Sequence, residues 1–415
     1  MRSRLSVAAC ALLASSGAAA NTRAETTPLA TPTMRFEGAA LIYGEQGRTS
    51  VFEPNARFTR LFAGGQTVSA ALTFDAITGA SPTGAMPSGT MQTTTSPSGR
   101  QVSISQEQVP TSQFSDARLA SDLEASTPIG RVLALTLGGH ISREKDYQSL
   151  GASAKASLDL WQHTTTLTFG GGSNHDAIFP RAMIHRGLSS GSDTLGGGRG
   201  VKNISSGLFG LSQILSRRWM AAATATRTVE NGYLTDPYKV VSVLNRTSGA
   251  TAGTVTEKRP SRRTRSDVLL SSVYHFDADV LYSESRFYGD DWGLRSLVVD
   301  FKYRHELKNG TWFEPHVRMY GQSKADFFRY GLPQGDPLPE YATSDSRLGR
   351  LASLTLGATY GFRIPQSPGE WSLRGELISQ TGNSFPAEAI GAQRNYDLAP
   401  PLTIGSLVAT YAIEF

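Results

Sequence analysis

Between Leu402 and Phe415 the chain alternates. Leu407, Ala409, Tyr411, Ile413 and Phe415 fall on one face of an extended strand, and Ser406, Val408, Thr410, Ala412 and Glu414 fall on the other. The same period of two recurs near 34–45, 50–62, 67–77, 113–125, 130–144, 148–160, 163–173, 202–215, 218–230, 264–275, 279–288, 293–306, 311–323, 347–363, 370–381 and 402–415. That predicts about sixteen strands, each close to the roughly 9–11 residues that cross a bilayer at a tilt. In 312–322 the apolar face is Phe313, Pro315, Val317 and Met319, and the opposite face is Glu314, His316, Arg318, Tyr320 and Gln322. A face so charged would be prohibitively costly in a dry core, so it belongs in a wet lumen.

The connections sort by parity. The second, fourth and later even ones, Ala63–Gln66, Ser126–Ile129, Trp161-Gln162, Ser216-Arg217, His275–Ala278, Leu307–Gly310 and Ile364–Gly369, are all short. Every long one, at 78–112, 174–201, 231–263, 324–346 and 382–401, is odd. A barrel with both termini in the periplasm has this arrangement of short periplasmic turns and long external loops. The fold expected is therefore all-β, an antiparallel transmembrane β-barrel of about sixteen strands. For the low-complexity stretch from Thr78 to Gly99, two placements are open, a mobile external loop or a segment folded into the lumen.

Composition adds a little. Apolar residues are 39% and charged ones 18%, with 42 glycines and 14 tyrosines filling the gap, as alternating strands without apolar helices require. The formal charge of +5 becomes +3 without Arg2 and Arg4 (5 − 2), too little for the basic field of a nucleic-acid binder. Met1–Ala20 carries those two arginines, the apolar run Leu5–Ala14 and small residues at Ala18 and Ala20, the layout of a cleaved secretory signal. The expected division is a signal peptide at 1–20, a short periplasmic segment at 21–33 and the barrel at 34–415, placed in the outer membrane. Cys10, the single cysteine, lies within that signal. Its removal leaves no thiolate metal site and no disulfide.

Dense polar clusters mark several loop edges: Glu144-Lys-Asp-Tyr147, Gly232-Tyr-Leu-Thr-Asp-Pro-Tyr-Lys239, Arg259-Pro-Ser-Arg262, Tyr288-Gly-Asp-Asp-Trp292, Tyr320-Gly-Gln-Ser323 with Ala325-Asp-Phe327, and Ser344-Asp-Ser-Arg-Leu348. With the glycine-rich Thr78–Gly84 and Ser96–Gly99, their order from about residue 36 onward resembles an uncharacterised family of Gram-negative outer-membrane β-barrels, a domain of unknown function. Ser346 departs from it, standing where an aromatic is expected before the arginine. The resemblance implies an outer-membrane barrel and brings no activity, cofactor or catalytic residue.

The lumen-lining candidates are Glu284, Arg286, Asp300, Lys302, Arg304, Glu314, Arg318, Tyr320, Gln322, Arg374 and Glu376, because residues two apart on a strand share a face and build a charged ladder. Such a ladder lines a pore or braces a plugged barrel. The loop-motif candidates are Tyr233, Asp236, Tyr238, Lys239, Asp290, Asp291 and Trp292. Gly289-Asp-Asp-Trp292 reads as a tight turn with Trp292 and Tyr288 in an interfacial girdle, or as an acidic pair for hydrolysis or Ca²⁺. His175 and His185 lack the spacing of a known metal site, and the basic run Glu257–Arg265 is a solvated face or a site for lipopolysaccharide phosphates. Tyr411 and Phe415 form the insertion signal read by the barrel-insertion machinery.

The function expected is a porin-like channel for small polar or anionic solutes. A non-transporting barrel serving as scaffold or docking partner for periplasmic or lipoprotein components is the alternative, and a hydrolase using Asp290 or Asp291 a minor one. No cofactor, metal or nucleic-acid partner is expected, and lipid and lipopolysaccharide are the surroundings.

Overall fold

In the computed structural model, which describes residues 33–89, 91–95, 101–104, 107–180, 184–189, 193, 198–365 and 368–415, the alternating segments close on themselves. Sixteen antiparallel strands form one ring: β1 (Thr33–Glu45), β2 (Thr49–Leu61), β3 (Thr67–Pro82), β4 (Thr111–Ile129), β5 (Leu133–Arg143), β6 (Tyr147–Leu160), β7 (Thr165–Ile178), β8 (Gly200–Ser216), β9 (Trp219–Gly232), β10 (Arg262–His275), β11 (Asp279–Asp290), β12 (Arg295–Glu306), β13 (Trp312–Gln322), β14 (Leu351–Phe362), β15 (Glu370–Gly382) and β16 (Leu402–Glu414). β16 pairs with β1 from Arg35↔Glu414 to Glu45↔Ile404, so the ring has no free edge. The expected signal and the segment before Thr33 lie outside the described residues, as does Ser96–Gly99.

The positions that the alternation turns outward are the exposed ones. Leu137, Leu150 and Leu377 are each about two-thirds exposed, and Phe58, Phe287, Phe301, Phe313 and Met319 are also exposed. A continuous apolar outer wall costs too much against water and is stable against lipid. At the end with the short turns, aromatic rings gather outside: Phe36 on Phe58 at 4.8 Å, Tyr274 on Phe276 at 4.9 Å and Trp371 on Tyr411 at 4.6 Å between centroids. This is the girdle of an interface.

Several strand ends differ from the sequence reading; β7, for example, runs on to Ile178. Ser126–Ile129 continues β4, and the turn falls at 130–132, because Gly130 takes φ +63° where a side chain is disfavoured. The connection read as 78–112 contains the continuation of β3 to Pro82, a hairpin of Gln92–Thr95 with Gln101–Ile104, and the return of β4 from Thr111.

The long connections fold together. Val240–Leu244, Thr251–Thr256 and Leu332–Pro333 form a small sheet, drawing the β9–β10 and β13–β14 connections into one body. Val240 N donates to Thr83 O at 2.9 Å and Met86 N to Ser242 Oγ at 2.9 Å. Leu188 N donates to Thr256 O at 2.9 Å, and Gln393 Nε2 to Gly249 O at 3.0 Å and Pro87 O at 2.8 Å. These connections root at β3/β4, β7/β8, β9/β10, β13/β14 and β15/β16, all around the ring, so their meeting forms a roof across one mouth. Gly84 (φ +91°) is needed there, since a Cβ would run into Val240 O.

Candidate functional site

The inner wall of β12–β16 carries a connected charge network. On β13, His316 lies with Nδ1 2.9 Å from Glu376 Oε1 on β15 and Nε2 2.9 Å from Asp300 Oδ2 on β12. Arg318 Nε donates to Asp300 Oδ2 at 2.5 Å, Arg374 stands 3.6 Å from Glu376, and Ser406 Oγ donates to Glu376 Oε2 at 3.3 Å. Below them Arg304 Nε donates to Glu314 Oε2 at 3.1 Å, its guanidinium 3.8 Å from the Trp312 ring centroid. Both nitrogens of the His316 ring meet a carboxylate. An ionised carboxylate only accepts, so the ring donates from both nitrogens as an imidazolium, or one acid holds the proton.

Six Arg or Lys pairs of the wall share a sense, while Asp122 over His140 reverses it at 53% and 31%. In Arg318–Asp300 the side chains are 25% and 5% exposed, in Arg304–Glu314 31% and 11%, and in Arg265–Glu230 30% and 7%. Arg118–Asp75, Lys202–Asp176 and Arg374–Glu376 follow the same order. In these six pairs the carboxylates sit against the wall and the cations stand over them, whereas Asp122 and Glu124 on the inner face of β4 are exposed carboxylates. Arg35–Glu37 at the turn end is equally open on both sides, and Arg263–Asp290 is wholly buried.

The remaining lumen candidates divide. Arg286 is exposed on the inner face of β11, Glu284 is half-buried directly opposite Asp300, and Lys302 is half-buried opposite His316. Tyr320 donates to Gln322 Oε1, and Gln322 Nε2 donates to Arg347 O at 2.9 Å and Gly349 O at 2.6 Å. These two fasten the roof to the wall.

The loop motifs meet in a second network inside the roof. Arg259 Nη2 donates to Asp345 Oδ2 at 2.8 Å and Glu257 Oε2 at 3.0 Å, Arg347 Nε to Asp345 Oδ1 at 2.8 Å, and Arg347 Nη2 lies 3.4 Å from Asp236 Oδ2. Lys239 is buried and donates to Ser81 Oγ at 3.2 Å and to Pro82 O. Burial drives the Asp345 carboxyl upward, but Arg347, Lys239 and Arg259 outweigh it and hold it well below the usual carboxylate range. Burial keeps the proton on Tyr233, whose hydroxyl is enclosed, and Tyr238 donates to Asp146 Oδ2 at 2.9 Å.

Asp290 accepts from Arg263 Nε at 2.8 Å, Tyr288 Oη at 2.8 Å, and the N–H groups of Trp292 and Leu294 at 3.1 and 2.9 Å; Asp291 accepts from Thr264 N at 2.9 Å. Trp292 is buried, not in the girdle. It packs edge-on to Phe327 at 5.1 Å, beneath Arg263 at 4.3 Å, because Leu294, Phe328 and Leu348 offer an apolar core within the roof. His175 lies 2.8 Å from Asn203 Oδ1 on β8, and among the described residues neither it nor His185 belongs to a group with metal-ligand spacing.

Sequence reasoning left out His316 as hub, Arg118, Lys202 and Arg265 as wall cations, and Glu257, Arg259, Asp345 and Arg347 as the roof network. His316 shares a face with Glu314 and Arg318 and was findable by spacing. The others depend on the register between strands or on contacts between distant loops.

A family model described as a protein of unknown function (DUF3570) matches residues 2–413. No curated protein matches the chain in sequence. Among solved structures, the outer membrane protein OpdK from Pseudomonas aeruginosa is similar at 9% identity, TM-score 0.40, over 93% of this chain and 99% of that one. OccK2 (OpdF) of the same organism, in complex with glucuronate, is similar at 9% identity, TM-score 0.41, over 92% and 98%. The toluene transporter TodX of Pseudomonas putida is similar at 10% identity, TM-score 0.37, over 94% and 92%. Nothing about a solute follows from likenesses of this size. The family match spans nearly the whole chain, which therefore belongs to the DUF3570 family.

Proposed function

From that membership as premise, we propose that this family member is an outer-membrane channel for small polar or anionic solutes, with the folded loops controlling access to it. The reading is supported above all by the shared sense of six Arg and Lys pairs on the wall, with exposed cations over buried carboxylates. Rings of fixed cations favour entry of anions and slow cations. A sixteen-strand barrel is too wide for side chains alone to fill, so the roof is the natural site of control. The surrounding partner is membrane lipid. Arg227 and Arg295 face outward and exposed, one residue pair above the exposed Val268, Phe287 and Leu297, a position suited to contact with lipopolysaccharide phosphates. The test is ion conduction of the refolded barrel in a planar bilayer. A steady current with anion preference supports a channel, and a folded but silent barrel removes it.

The scaffold reading draws on one observation, the roof itself, whose buried ion network joins separate loops. A silent barrel that retains the roof would favour it. The hydrolase reading gains nothing from the geometry. Asp290 is held by four donors and buried, and Asp291 accepts from a backbone amide.

A further inference from the structure

We propose that Asp116, Glu144 and Asp146 form a calcium site at the loop end of the barrel, clasping the roof to the wall. Asp116 lies near the loop end of β4, and Glu144 and Asp146 lie in the tight β5–β6 connection. One carboxylate oxygen from each lies within 4.8 Å of the others, and all three side chains are buried. Oxygens on opposite sides of Ca²⁺ stand about 4.6–5.2 Å apart, given bonds of about 2.3–2.6 Å. The spread is therefore one that a single ion can span.

Three carboxylates at such a separation repel one another, and a divalent ion between them would offset that repulsion. Glu144 is over nine-tenths buried, and its Oε2 meets no donor among the described residues. All-oxygen donors select a hard cation. The pocket is also tied to the roof, since Asp146 accepts from the Tyr238 hydroxyl at 2.9 Å and Phe179 N donates to Asp146 O at 2.7 Å. Loading the site would thus fix the β9–β10 connection against the β5–β6 turn.

The test is calorimetric titration of Ca²⁺ into the full-length barrel, refolded in detergent and stripped with chelator, with Mg²⁺ titrated separately. The expected result is one saturable Ca²⁺ event per chain, with a dissociation constant in the range of about 10⁻⁴–10⁻³ M typical of extracellular sites, and weaker Mg²⁺ binding. Glu144→Gln and Asp146→Asn, each shown to be folded by heat-modifiable migration, should each weaken binding at least tenfold. Two variants guard against one failing to fold. Absence of saturable binding in the natural chain, or binding of natural strength in either folded variant, overturns the proposal. Neither result bears on whether the barrel conducts.

Discussion

Asp300 and Arg318 sit directly opposite each other on β12 and β13, joined by a 2.5 Å bond in which the carboxylate is almost wholly buried and the guanidinium is a quarter exposed. The pair is therefore neutral in sum but positive in what it presents. Removing Arg318 leaves Asp300 held by His316, while Asp300→Asn leaves Arg318 exposed and uncompensated. A unit charge about 4 Å away in water is worth about 1 kcal/mol, so Arg318→Ala should lower the anion-over-cation permeability ratio by up to about fivefold and Asp300→Asn should raise it. Reversal potentials in a salt gradient measure both, and equal ratios in the two variants would refute the claim.

His316 joins two buried carboxylates, Asp300 on the adjacent β12 and Glu376 on β15, one strand beyond its other neighbour β14. Its loss leaves Asp300 and Glu376 short of a donor inside the wall, and breaking a buried charge pair costs about 3–5 kcal/mol. His316→Ala should unfold at clearly lower urea than the natural chain, followed by the fraction of heat-modifiable barrel. Unchanged resistance to urea would mean that the network does not brace the wall.

The roof network should fail in acid. Asp345 is held well below its ordinary value of 3.8 by Arg347, Lys239 and Arg259. Its folded pKa is depressed, so its stabilising contribution is complete above about pH 4 and is lost as pH falls below that toward the folded pKa. Protease cleavage within 233–261 should rise below about pH 4 in the natural chain. In Asp345→Asn it should be raised already at neutral pH, with the acid step diminished. An acid step of natural size in the variant would assign the loss to another group.

Phe415 closes the seam through its backbone, donating from N to Met34 O at 2.8 Å and accepting from Met34 N at 2.7 Å, while its ring is 62% exposed. Phe415→Ala keeps both bonds and removes only the outward ring. Membrane insertion in cells should fall, and barrels that do assemble should behave as the natural chain does. Normal insertion with lost activity would contradict this.

The wall was legible because a strand's period of two is local. Phe313 and Val317 outward with Glu314 and Arg318 inward needs no knowledge of neighbours, and neither does the parity of the loops. The turn after β4 was displaced because Ser126–Ile129 looks turn-like, whereas Gly130 takes the left-handed conformation. The roof was out of reach. Nothing near Asp236 announces Arg347, more than a hundred residues away, and Trp292 looks like any interfacial aromatic until Phe327 and Arg263 cover it. The carboxylate-under-cation order was equally hidden, since it depends on side-chain burial across strands.

The most direct test of the account is single-channel recording of the refolded natural barrel in a planar bilayer under a salt gradient. The account predicts discrete, steady openings whose reversal potential marks a preference for anions, reduced in Arg318→Ala. A barrel shown to be folded and inserted that carries no current, or one that prefers cations, would contradict it.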